Sequence, residues 1–129
     1  MAEGDERWQA GLAAFASQFQ IPEDAVHDHM RSRFGERLAT EAILATGAAW
    51  TDDCLSLRDR SLLVLTALAV QGGVEARLRT HARWALDHGA TPEELEALAG
   101  LLAVYAGYPK ASVAIEVFRD VVAKYDSAH

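Results

Sequence analysis

Between Val74 and Leu95 the chain writes out the end of one helix and the start of the next, and that punctuation constrains the fold more than any other feature. At about 100° per residue, Val74, Leu78, His81 and Ala85 share one narrow face, which predicts a helix over 74–88. Gly89 follows as its C-terminal cap, because glycine enters the left-handed region without a Cβ clash. Thr91-Pro92-Glu93-Glu94 then opens another helix. It supplies a capping hydroxyl, a proline where no N–H is needed, and a glutamate that can reach back to the cap.

The rest of the chain reads the same way. No stretch alternates apolar and polar residues long enough for a convincing strand. Trp8, Leu12, Phe15 and Phe19 mark a first helix over 5–19. Pro22 breaks it and suits the first turn of a second, with Val26, Met30 and Phe34 on its apolar side and Gly35 at its end. A shorter helix is expected over 37–46, with 47–55 as a connection. Ser56 and Asp59 resemble a capping box for a helix over 57–71, whose apolar run predicts burial on most sides. The helix opened at Thr91 continues to about Ala106, Gly107-Tyr108-Pro109 forms a turn, and a last helix covers 110–125 with Ala111, Ala114, Ile115, Phe118, Val121, Val122 and Tyr125 inward. The fold class is therefore all-α, a bundle of six or seven helices. With 129 residues, half of them hydrophobic, a single domain with its own core is expected.

Composition narrows the function. A formal net charge of -7 argues against nucleic acid as the main partner, since phosphate binding wants a basic surface. The longest apolar run, 62–70, is far too short to span a bilayer, and the acidic start of the chain is unlike a signal peptide. A cytoplasmic protein without membrane association is expected. One cysteine, Cys54, leaves no internal disulfide and no cysteine-rich zinc site. No phosphate loop, dinucleotide fingerprint or HExxH occurs. Glu23 and His27 share a helix face but lack further ligands, so no metal site is expected there.

The residue that stands out is His81, a titratable group among core positions, which is costly to bury unless paired or useful. Arg77, Trp84 and His88 flank it on the same helix. One reading is a small cavity with a basic, aromatic wall, in which His81 moves protons and Arg77 grips a carboxylate through its fork of donors. The plainer reading makes His81 a satisfied core or interface histidine, Arg77 an intersubunit ion pair, and Trp84 packing. Glu75 is expected to pair with Arg79, and Arg83 with Asp87, in exposed i,i+4 contacts.

Three segments in order, Arg60-Ser-Leu-Leu-Val-Leu-Thr-Ala-Leu-Ala, Leu78-Arg-Thr-His81-Ala-Arg-Trp-Ala-Leu-Asp-His-Gly89-Ala-Thr-Pro-Glu-Glu94 and Tyr105-Ala-Gly-Tyr-Pro109, resemble the carboxymuconolactone decarboxylase family over roughly 55–125. The resemblance implies an all-helical fold related to the alkylhydroperoxidase D-like proteins, assembled as a homo-oligomer, a trimer or hexamer. The peroxidase branch carries Cys-x-x-Cys a turn before the histidine; here those positions hold Val74 and Arg77, and the proton-relaying glutamate is replaced near Ser61. Many decarboxylase relatives place a glutamate four residues before the histidine, where this chain has Arg77.

What the resemblance implies is a cofactor-independent lyase that decarboxylates a small lactone or cyclic carboxylic acid. His81 is the catalytic acid/base, and Arg77, Trp84 and Tyr105 bind substrate. Tyr105 either lines the cavity or closes its helix. Two further readings stay open: an isomerase or cyclase of secondary metabolism using the same pocket, and a non-catalytic oligomer that binds small molecules.

Overall fold

The computed structural model describes residues 2–128. Seven helices run through them: α1 (Ala2–Phe19), α2 (Glu23–Phe34), α3 (Glu36–Thr51), α4 (Leu57–Gln71), α5 (Glu75–Asp87), α6 (Pro92–Ala106) and α7 (Tyr108–Ala128). The described residues contain no strand, so the all-α expectation holds. None of the helices is long and apolar enough to cross a membrane. They gather into two compact units, Met1–Cys54 and Leu55–His129.

In the first unit, α1, α2 and α3 enclose Phe15, Val26, Met30, Ala39 and Ile43, with Trp8, Leu12 and Phe19 packed around them. For α1 and α2 these are the apolar faces that the spacing predicts. The third helix departs from expectation. It runs to Thr51, five residues past the anticipated end, straight through Gly47. Gly47 looks like a stop signal in the sequence, but here it is a contact. A Cβ on Gly47 would overlap the carbonyl oxygen of Arg7, and one on Gly11 would overlap that of Ile43. The two glycines let the backbones of α1 and α3 touch, and that packing outweighs glycine's poor helix propensity, about 1 kcal/mol against alanine.

The second unit has Leu65, Leu78, Leu95, Leu102 and Phe118 at its centre, spaced by the alanines Ala82, Ala85 and Ala114. The starts of α4 and α6 are those the sequence announces. The Asp59 N–H donates to Ser56 Oγ at 3.0 Å. The Glu94 N–H donates to Thr91 Oγ1 at 3.1 Å while the Thr91 N–H donates to Glu94 Oε1 at 3.0 Å, completing a reciprocal box. Arg58 also reaches Glu94, tying the first turns of α4 and α6 together.

Two expectations fail in this unit. The turn before α7 is Gly107 alone, at φ 104°, and α7 already begins at Tyr108 because Pro109 fits a first helical turn. Nor is α4 buried on most sides: Leu63 is 57% and Val70 44% exposed, and only Ser61, Leu65 and Ala69 are buried. A helix packed against a bundle from one side hides one face, however apolar the others are.

Candidate functional site

Helix α5 carries the residues that matter, and its core face holds it in place. Leu78, Ala82 and Ala85 are buried, so the helix cannot roll. His81 lies half-buried beside that face, and Trp84, three residues on, is only 3% exposed. His88 caps the helix, its backbone N–H bonded to the carbonyls of Trp84 and Ala85. The rings form a row. The His81 and Trp84 centroids are 5.9 Å apart with planes at 63°, and the Trp84 and His88 centroids 4.6 Å apart at 50°. An indole thus lies between two imidazoles.

The far end of the row is anchored from α4. Ser61, 1% exposed, shares a 2.7 Å hydrogen bond with His88 Nδ1. That pairing fixes the orientation of the His88 ring. Arg83 donates to Asp87 at 2.6 Å, as the i,i+4 spacing predicts, and Tyr125 of α7 donates its hydroxyl to the other oxygen of Asp87 at 3.0 Å. The second predicted pair does not form. Arg79 reaches across to Asp120 on α7, because an interhelical carboxylate meets its guanidinium in place of Glu75.

Burial sets the charge of the row. Desolvation lowers the His81 pKa from 6.5 to about 4, and the nearby Arg83 guanidinium pushes the same way. His88 is also lowered, mainly by burial; Asp87 opposes this and Arg83 adds to it. At neutral pH both rings are therefore uncharged, and each carries one N–H donor and one bare nitrogen. A neutral imidazole in a poorly solvated place is sensitive to charge: an entering anion favours its protonated form.

The other sequence candidates are placed as follows. Arg77 is exposed, one turn before His81 on α5. Tyr105 is 85% exposed near the end of α6, where it borders an open apolar groove of about 510 Å³ with Leu62, Thr66, Val70 and Leu101. His81, Arg77 and Trp84 do not line that groove. The structure thus brings His81 and Trp84 together and puts Tyr105 on a different surface. What sequence reasoning overlooked is the Ser61–His88 pair. A signal existed: a lone serine immediately before the apolar run of α4.

Residues 38–120, well over half of the chain, match the carboxymuconolactone decarboxylase family. The chain belongs to the carboxymuconolactone decarboxylase family. The matched stretch contains the whole aromatic row and Ser61. Over 81 residues this family member is 35% identical to a 4-carboxymuconolactone decarboxylase of Acinetobacter baylyi (strain ATCC 33305 / BD413 / ADP1), and the match spans 60% of each chain. The match agrees with the resemblance that His81, Gly89, Thr91–Glu94 and Tyr105–Pro109 carry.

Proposed function

We propose that this chain is a cofactor-independent decarboxylase-like lyase acting on a small lactone or other cyclic carboxylic acid, with His81 as its proton carrier. The observation that carries the reading is the half-buried, neutral imidazole of His81 against Trp84, within the segment shared with the family. The relative's name supplies the substrate class.

The chemistry follows from the charge states. A substrate carboxylate arriving beside His81 raises the imidazole pKa, so the ring takes up a proton on binding. Arg77, one turn earlier, would hold the acid group through paired donors. When carbon dioxide leaves, the electron pair of the broken C–C bond stays on carbon and spreads into the lactone carbonyl as an enolate. The imidazolium and the His88 N–H are the donors available to stabilise that charge. His81 then delivers its proton to carbon and returns to neutrality. One carboxylate and one proton give one carbon dioxide and the protonated lactone.

The test is turnover of 4-carboxymuconolactone in heavy water. Expected is a product carrying one solvent deuterium, with turnover lowered about a hundredfold or more in His81→Ala, the usual scale for a lost general acid. Full turnover by His81→Ala would end the reading.

The same reading includes self-association as a trimer or hexamer. Val70 of α4 and Leu101 and Tyr105 of α6 border one apolar groove, and Leu101 is 64%, Val104 74% and Tyr105 85% exposed, more apolar surface than a small monomer usually shows. Light scattering is expected to return a multiple of 14.0 kDa, and Leu101→Glu a smaller species. The intact protein at monomer mass would refute the assembly. The one cysteine, Cys54, is exposed and free, which suits a reducing cytoplasm.

A further inference from the structure

A second cavity lies at the N-terminal end of α5. Helix α4 ends at Gln71, and Gly72 and Gly73, both at φ 73°, swing the chain into α5. The first turn of α7 lies across this turn. Lys110 places its Nζ 3.1 Å from where a Cβ on Gly72 would stand, so the missing side chain is what makes room for the ammonium. Between the turn and the two helices is a half-enclosed cavity of about 240 Å³ with apolar walls that include Ala69, Leu78 and Val113. It is smaller than the range of about 300–1,000 Å³ that holds drug-sized ligands.

Two charged residues border it, Lys110 and Glu75. Glu75 would ordinarily pair with Arg79, but Arg79 is held by Asp120, which also accepts from Lys124 at 3.0 Å. Among the described residues neither the Lys110 nor the Glu75 side chain forms a hydrogen bond or ion pair. An apolar cavity with one cation and one anion at its edge, each unanswered by the protein, is complementary to a molecule with the opposite pair of charges. None of the rings of the aromatic row, His81, Trp84 and His88, lines it.

We propose that this cavity is a binding site for a small zwitterion with an apolar body, a molecule of the apolar amino acid class, its carboxylate on Lys110 and its ammonium on Glu75. The site stands apart from the decarboxylase reading and needs no turnover to be seen.

The experiment is an NMR titration of the full chain, following the backbone amides of Gly72, Gly73 and Val74. The probes are L-norleucine, hexanoate, which lacks the amine, and hexylamine, which lacks the acid. Norleucine is expected to shift the three amides saturably, and each half-ligand to bind about tenfold or more weakly, since each forgoes one charge-assisted contact. Lys110→Met should abolish the preference for norleucine over hexylamine, and Glu75→Gln the preference over hexanoate. Both side chains lie at the cavity edge, so the variants are expected to fold, with their spectra as the check. Three results overturn the proposal: no saturable shift at these amides up to about 10 mM norleucine, shifts that survive Lys110→Met unchanged, or hexanoate binding as tightly as norleucine.

Discussion

Lowering the pH should destabilise this protein through His81, and the size of the effect follows from its burial. In the unfolded chain the imidazole titrates near 6.5, and in the folded protein near 4. Because the folded value is the lower one, the unfolded state binds the proton more readily throughout that interval. The stability contributed by the neutral ring is complete above 6.5, declines as the pH falls, and is gone below about 4. The full difference comes to about 3 kcal/mol, at 1.36 kcal/mol per unit, and about 2 kcal/mol of it is lost by about pH 5.

Urea unfolding at about pH 8 and about pH 5, on the intact protein and on His81→Gln, isolates the contribution, because every other titrating group is common to both. His88, lowered in the same direction, cancels in the comparison. The variant is expected to lose about 2 kcal/mol less than the parent over this interval. An NMR titration of the His81 ring gives the midpoint directly. Equal losses in the two proteins, or a ring midpoint near 6.5, would show an imidazole solvated as in water. The physical basis for a charge-responsive His81 would then be gone.

Further outcomes follow from the packing. Gly47→Ala should cost about 1–3 kcal/mol in urea unfolding, because its methyl group must displace the Arg7 carbonyl and so push α1 from α3; a neutral result would mean the two helices are not in backbone contact. Ser61→Ala should cost about 1–2 kcal/mol by leaving the His88 nitrogen without its buried hydroxyl, and the His88 ring resonances should shift in the same sample. Thr91→Ala should cost about 1 kcal/mol by opening the α6 cap, with amide exchange at Glu94 speeding up first.

Helix boundaries were legible wherever a cap is written in local chemistry. The α4 and α6 starts at Ser56 and Thr91 are fixed by side chains reaching backbone three residues away, and such contacts need no tertiary partner. The α3 end was not legible. Gly47 carries one local meaning, a helix breaker, and a second that exists only when α1 lies against it. The exposure of α4 is not legible for a related reason: the run 62–70 records how apolar each residue is, while the number of neighbours depends on where α5, α6 and α7 stand. Within the site, His81 and Trp84 could be read together because three residues on a helix share a side. Tyr105 could not be placed, since its motif lies near the far end of another helix.

By itself, the order of residues determined an all-helical chain, most of its caps, its family, and the histidine on which a function can be argued. Those features depend on contacts within a few residues, or on a pattern that survives without coordinates. Only the folded arrangement decided that Ser61 would hold His88, that Arg79 would leave Glu75 for Asp120, and that Lys110 would rest over Gly72. Each of these joins groups on different helices. Their meeting is set by helix packing, which no local spacing encodes.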